Sequence, residues 1–363
     1  MKTNYILSVF AGIALAGVSC TSEETHLQTL VVDLPKTPDV YSTGTHIPTL
    51  GRVLFYDRKL SLNNSVACAS CHKQNLAFSD NVRFSEGFER KLTSRNSMPI
   101  QNIVAGFGKD SIVIDPMPGF FPTNLFWDGR EHDLQTMVMK PILNHVEMGF
   151  SDLTQLEEKL ARVPYYETLF EKAFGDKNVT EERIALAISS FIRSITSEET
   201  KFDVAQRQNI PLAALEQKGR ELFTSTYDCN SCHQIESPHG YIMAGTFANI
   251  GLEQTYLDNG LGEVTKQSFD NGRFKIPSLR NVVLTAPYMH DGRFKTLDEV
   301  MEHYSSGIQD HPNLDPRLKT PNGSPRVMHI PDGDRAAIIA FLHTLTDHKM
   351  ITDRKFSDPF KIQ

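Results

Sequence analysis

Apolar residues recur at helical spacing in three stretches of the chain. Leu153, Leu156 and Leu160 fall at i, i+3 and i+7, which places them on one face of a helix. Thr154 and Glu157 have the spacing of a capping box, in which each side chain satisfies a backbone N–H near the other. Ile184, Ile188, Phe191 and Ile195 make a second stripe. Ile338, Ile339, Leu342 and Leu345 make a third, with Asp332 or Asp334 as candidate caps. Between Phe78 and Asp128 the period fades and Gly, Pro, Ser and Asn become frequent, so long loops are predicted there. Glu199 to Pro211 is polar and reads as a join between domains. Strand alternation is scarce. The pattern predicts a mainly α fold with long irregular loops.

The start of the chain follows a different logic. Lys2 precedes an apolar run from Tyr5 to Val18, too short for a stable bilayer span, and small residues follow it. Residues 1–19 therefore read as a signal peptide and 20–45, with Pro35 and Pro38, as a polar tether. Cys20 directly after small residues resembles a bacterial lipoprotein signal, in which Cys20 is lipidated and anchors the protein to a membrane. Gly17 stands where that signal usually has leucine, so a plain cleaved signal peptide is the other reading. Both make the protein exported and periplasmic. No other segment of the sequence is long and apolar enough to cross a bilayer. At 363 residues the chain has room for two domains, and its net charge of −7 argues against nucleic acid as a partner and suits docking of a basic protein.

Four of the five cysteines stand in two short phrases, Cys68-Ala69-Ser70-Cys71-His72 and Cys229-Asn230-Ser231-Cys232-His233. Each is a C-x-x-C-H, the spacing at which two thiols add to the vinyl groups of one haem and the adjoining histidine ligates the iron. A single zinc held by both pairs is the competing reading, but zinc sites keep their pairs much closer in sequence. A thioredoxin-like pair needs no following histidine. Upstream of the two phrases lie Gly51-Arg52-Val53-Leu54-Phe55 and Gly219-Arg220-Glu221-Leu222-Phe223, an internal repeat. The repeat implies two cytochrome c-like domains, residues 46–205 and 206–350, each around one covalently bound c-type haem. Residues 351–363 are left as a C-terminal tail.

Further phrases go beyond haem attachment. Phe126-Trp127-Asp128-Gly129-Arg130, Asn144-His145-Val146-Glu147-Met148, Phe274 to Asn281 and Thr285 to Gly292 resemble the bacterial di-haem cytochrome c peroxidase family, which includes the MauG proteins. The resemblance runs from about Leu50 to Leu345. It implies a peroxidatic haem ligated by His72 and an electron-transfer haem ligated by His233. It makes Trp127, the only tryptophan, a relay between the haems; a lone tryptophan is otherwise a core anchor. It makes Glu147 the acid that moves a proton between the two peroxide oxygens. It places a calcium ion on the Asn96 side chain and the backbone carbonyls of Thr285 and Pro287, oxygen ligands that suit a hard cation.

Three positions depart from the family pattern. Where many members carry a histidine that blocks the first haem, this chain has Phe88, and only histidines from elsewhere, such as His132 or His145, could block it. Where a glutamine often accompanies the distal acid, Met137 stands. Where the peroxidases place a methionine ligand on the second haem, Tyr304 stands, as a tyrosine does in MauG; Met301, Met289 and His303 are the alternatives. Tyrosinate favours ferric iron and lowers the potential, whereas methionine raises it.

The resemblance implies an enzyme that reduces hydrogen peroxide to water through a ferryl intermediate at the first haem. Its electrons would come from a small donor protein, a cytochrome c or a cupredoxin. A MauG-like enzyme that oxidises side chains of a partner protein is the alternative, and an electron-carrier cytochrome a weaker one. Family members are often homodimers, which leaves that state open here.

Overall fold

The computed structural model describes residues 46–103, 124–235 and 247–360. The signal peptide, the tether and Cys20 lie outside the described residues. Helices α1 (His46–Tyr56), α2 (Leu134–Leu143), α3 (Leu153–Ala161), α4 (Pro164–Phe174) and α5 (Glu181–Ser194) surround a first apolar core. Helix α6 (Lys201–Gln208) leads to α7 (Ala214–Glu221), α8 (Leu297–Glu302) and α9 (Asp332–His343), which enclose a second. Strands β1 (Phe247–Ala248) and β2 (Phe274–Lys275) pair antiparallel, with Phe247 opposite Lys275. No helix among the described residues is long and apolar enough to cross a membrane.

Local chemistry accounts for the helix ends. Thr180 caps α5 by accepting from the Arg183 N–H, and Glu181 and Glu182 in the first turn favour its positive end. Ile184, Ile188 and Phe191 are fully buried, so the predicted stripe is the core face. Pro164 opens α4 and Gly175, at φ +85°, closes it. Helix α3 begins differently from the sequence expectation. Its cap is Asp152, whose extended backbone lets Oδ1 accept from the Thr154 N–H at 3.0 Å; Thr154 is already inside the first turn. Glu157 instead accepts from the Glu181 N–H at 2.6 Å and ties α3 to α5. Helix α9, unlike α3, has no side-chain cap. Pro331 precedes it, and Asp334 binds the Lys218 ammonium and the Tyr227 hydroxyl, joining α9 to α7.

The polar stretch between the cores is not plain linker. Thr200 and Asp203 form a capping box that starts α6, and Asp203 also receives two 2.7 Å bonds from the Arg280 guanidinium. Residues 350–360, read from the sequence as largely tail, lie on the first core. Met350 and Phe356 are buried in it, Arg52 donates to the Ser357 carbonyl at 2.6 Å, and Gln74 donates to the carbonyls of Met350 and Asp353.

The repeated Gly-Arg-x-Leu-Phe phrase has one structural meaning in both halves. Helix α1 lies on α5, and α7 on α9. At Gly51 an added Cβ would sit 1.8 Å from the Ala187 carbonyl oxygen and 2.9 Å from Phe191 Cβ. At Gly219 it would sit 1.9 Å from the Ala337 oxygen and 2.8 Å from Phe341 Cβ. Backbone meets backbone at both crossings, so no side-chain movement can relieve a methyl group. Gly51→Ala and Gly219→Ala are each expected to cost at least the ~1–3 kcal/mol typical of overpacking and to lower the thermal midpoint of the haem-loaded protein. Calorimetry checks this; an unchanged midpoint in either variant would show that the helices can separate without cost.

Candidate active site

The first C-x-x-C-H forms a single helical turn, Cys68–Cys71, closed by a bond from the His72 N–H to the Cys68 carbonyl at 2.9 Å. Two residues in succession, Ala77 and Phe78, adopt left-handed backbone, and the chain turns back on itself there. That turn brings the Phe78 carbonyl 2.9 Å from His72 Nδ1. With Nδ1–H donated to a carbonyl, Nε2 carries the lone pair and is the atom left to ligate iron. The second motif repeats the arrangement. The His233 N–H donates to the Cys229 carbonyl at 2.9 Å, and Nδ1 lies 3.1 Å from the Pro277 carbonyl. Burial pushes the His233 imidazole down to about 4, which keeps it neutral.

These donors fit thioether attachment of haem better than zinc. All four thiols are free of disulfides. Burial pushes Cys68 up to about 12, Cys71 to about 11 and Cys229 to about 12, and raises Cys232, so the thiols are protonated before any group is attached. The two pairs are not brought together: among the described residues no group of three or more His, Cys, Asp or Glu could hold a metal ion.

Glu147 lies beside the first motif, close enough for its charge to be felt at both Cys68 and Cys71. It follows α2 in a tight turn where the Asn144 amide donates to Oε1 at 2.9 Å. Burial raises its carboxyl above the usual range, and the Arg130 cation opposes that only in part. The Phe88 N–H donates to the Glu147 carbonyl at 2.9 Å, and the Phe88 ring lies against Gly149. An aromatic hydrocarbon thus stands beside Glu147. His132 and His145 are both exposed, and Met137 packs on the first core.

The second motif opens into a cavity of about 210 Å³. Cys229, Cys232 and His233 line it, with apolar walls from Phe223, Leu297 and Leu342. Tyr304 also lines it, from a π-helical turn at His303–Gly307 that widens the end of α8. Its hydroxyl has no hydrogen-bond partner among the described residues, and burial raises its pKa. Met301 and Met289 reach the same cavity. His303 does not line it; its Nε2 is 2.9 Å from the Ile250 carbonyl.

Trp127, Asn96, Thr285 and Pro287 line this cavity too. The Trp127 indole N–H donates to the Asn96 carbonyl at 2.9 Å. The next residue, Ser97, donates to the Cys71 carbonyl at 2.9 Å and lies 3.4 Å from His72 Nδ1. A short hydrogen-bonded path therefore leads from the first histidine to the wall of the second cavity. The Asn96 amide nitrogen is used by the Val82 carbonyl at 3.0 Å, which leaves Oδ1 free of any bond from a described residue. The carbonyls of Thr285 and Pro287 also accept none.

Several residues of this joint have no role in the sequence reading. Arg95 clamps Asp258 with two 2.7 Å bonds and reaches Asp128 at 2.5 Å. Asn281, wholly buried in left-handed backbone, binds Ser197 and Asp347. Asp128 lies in a quoted phrase, but only the fold reveals what it holds.

Residues 46–210 match the family model described as di-haem cytochrome c peroxidase. The chain is 32% identical over 300 residues to the methylamine utilization protein MauG of Methylorubrum extorquens, covering 82% of this chain and 77% of that one. It is 30% identical over 301 residues to cytochrome c551 peroxidase of Nitrosomonas europaea, covering 82% and 81%. A solved MauG-like protein associated with microbial copper homeostasis superposes with a TM-score of 0.72 at 29% identity, covering 91% of this chain and 98% of that one. With two C-x-x-C-H sites of matching proximal geometry and relatives of both kinds along most of its length, the chain belongs to the di-haem cytochrome c peroxidase family, whose members carry two haem c groups.

Proposed function

We propose that this di-haem peroxidase reduces hydrogen peroxide at its first haem site and draws electrons from a small redox protein through the second, with a division of labour among its own side chains. The observation that carries this reading is the part-buried Glu147 beside Cys68-Cys71-His72, with Phe88 in place of a second imidazole. When bound, the haems supply iron that activates peroxide and a second centre that exchanges electrons. Glu147 takes the proton from the peroxide oxygen that meets the iron and returns it to the departing oxygen. Asn144 holds the carboxyl in place for both transfers. Phe88 offers no lone pair, so it leaves the first site open in the fully oxidised protein. Trp127, fixed by the Asn96 carbonyl, is the relay between the sites.

Two further assignments follow from the second cavity. Tyr304 is the second protein ligand there, supported by its place in the cavity wall and by a hydroxyl with no hydrogen-bond partner among the described residues. Asn96 Oδ1 and the carbonyls of Thr285 and Pro287 are the protein ligands of a calcium ion, supported by three oxygens free of bonds from described residues. The donor is a cytochrome c or a cupredoxin, and the protein is exported to the periplasm, anchored there through a lipidated Cys20. Phe88 and Tyr304 together also favour a second reading, in which the oxidising power is spent on side chains of a partner protein, as the similarity to MauG suggests.

Stopped-flow absorbance of the oxidised, calcium-loaded protein separates these readings. A rapid Soret change with peroxide, followed by oxidation of added reduced cytochrome c, is expected; a Soret change without cytochrome oxidation would favour the second reading. Glu147→Gln is expected to slow the peroxide step by about 10²–10³-fold, within the range of lost acid–base catalysis, with both haems still attached. The deprotonated carboxyl is the proton acceptor and burial raises its pKa. The wild-type rate should therefore fall as pH drops through that raised pKa, and E147Q should lose this limb. A wild-type-like rate in E147Q would remove Glu147 from the mechanism.

Tyr304→Phe is expected to raise the midpoint potential of the second haem and to change its ferric electron paramagnetic resonance spectrum, because an anionic oxygen ligand favours ferric iron. An unchanged spectrum would assign the ligand to another residue. Chelation is expected to slow cytochrome oxidation, and added calcium to restore it in the wild type and not in Asn96→Ala. Recovery in Asn96→Ala equal to that of the wild type would take Asn96 out of the site.

A further inference from the structure

A second group of redox-active side chains belongs to the first core, with Tyr166 buried in it and Tyr165 packed against it. Asp57, at the end of α1, is 4% exposed. Its Oδ2 accepts from the Tyr166 hydroxyl at 2.8 Å and from the Tyr165 hydroxyl at 2.5 Å, while Oδ1 accepts from the Lys59 N–H at 2.8 Å. Both phenols and the Lys59 N–H direct a hydrogen at one carboxyl group, an arrangement its oxygens satisfy as acceptors. The two phenol rings lie 4.8 Å apart between centroids. Tyr166 is wholly buried and close enough to the first motif to feel the charge of Cys68. Tyr165 is only half-buried, with the Lys59 ammonium 5.2 Å from its ring centre. Two oxidisable rings in contact thus run from the vicinity of the first attachment site toward solvent, and both place their protons on one base.

We propose that Tyr166 and Tyr165 are a second exit for oxidising equivalents, leading from the first haem site to the protein surface with Asp57 as their shared proton acceptor. The proposal rests on the peroxidase reading, which supplies the oxidant. One electron leaves the Tyr166 ring for the peroxide-oxidised first site, and its phenolic proton passes to Asp57 Oδ2. This leaves a neutral tyrosyl radical and a protonated carboxyl. An electron from Tyr165 then refills Tyr166, which recovers its proton from Asp57, and the Tyr165 proton takes its place on the carboxyl. The net change is one electron delivered inward, one radical on Tyr165 and one proton on Asp57. A one-electron reductant in solution, such as a small thiolate, restores Tyr165 as Asp57 returns the proton. Burial and the Asp57 charge both raise the Tyr166 pKa, so the phenol keeps its proton until it is oxidised. The path drains the first site when no donor protein is docked.

The test is freeze-quench electron paramagnetic resonance of the haem-loaded protein mixed with one equivalent of peroxide and no donor, with the Soret band followed in parallel. The wild type is expected to show a tyrosyl radical, and peptide mass spectrometry to find oxidation at Tyr165. Y165F/Y166F should lose the radical and bleach faster under repeated peroxide, with cytochrome c oxidation at the wild-type rate. Asp57→Asn retains an oxygen acceptor and a good cap but is a poor base, and should lower the radical yield. Tyr165→Phe alone, which alters a half-buried ring, should abolish the surface oxidation product even if the double variant folds poorly. A Soret change with an unaltered radical in Y165F/Y166F would overturn this exit and leave the peroxidase reading intact. No Soret change in the wild type would overturn both.

Discussion

Each half of the molecule depends on a helix crossing so close that a glycine must stand at its centre. The consequence reaches the chemistry through one helical turn. Phe55 lies four residues beyond Gly51 on the same face of α1, and Phe223 four beyond Gly219, in the π-helical turn Leu222–Thr226 that continues α7. Phe55 meets Phe191 at 5.2 Å between ring centres, and Phe223 meets Phe341 at 5.7 Å. Phe55 also approaches the His72 ring at 6.5 Å, while Phe223 lines the cavity of the second site. The crossing therefore fixes an aromatic wall beside each attachment site. A methyl group at either glycine would act on a site it never touches.

On the proximal side the two halves are near copies, with a histidine held by a backbone carbonyl. The proposed roles make the sites unequal through other residues. In that reading Glu147 and Phe88 give the first site a part-buried proton carrier and no competing ligand, and Tyr304, on a widened helical turn, gives the second a hard oxygen. The joint between them is polar and tightly specified: Arg95 holds Asp128 and Asp258, and those bonds fix the strand of chain that carries Trp127 against Asn96. Removing one partner of such a clamp leaves buried charge uncompensated, so its geometry is harder to change than that of a surface ion pair.

The features legible in the sequence were those with a fixed local period. The helix stripes of α5 and α9, the scarcity of strands and the two attachment phrases rest on spacing within a few residues. Caps were less legible, because Asp152 and Thr154 are both good capping types and only the backbone conformation decides between them. Helix α6 escaped notice because its stability comes from the Thr200–Asp203 box and from Arg280, far along the chain. The docking of Phe356 and Ser357 on α1 is a contact between opposite ends of the described chain, and no periodicity announces it. Of the joint residues, Asp128 and Asn281 stood inside motif phrases that gave no hint of their partners. Arg95, Asp258 and Ser197 lie in loops whose composition says nothing about what they face.

Oxidising power made at the first site has to go somewhere, and the fold offers unequal routes. Trp127, the proposed relay, donates its indole N–H to the Asn96 carbonyl, which is too weak a base to take the proton. It therefore suits transfer in which the indole N–H stays in place and charge moves between the two sites. Tyr165 and Tyr166 cannot be oxidised at modest cost without losing protons, and Asp57 is the base that takes them. The first arrangement favours fast exchange with the second site, and the second favours slow loss toward solvent. Which one dominates depends on whether the second site is supplied with electrons. The same active site can therefore turn over with a donor and shed its oxidising equivalents without one, and no side chain has to move between the two modes.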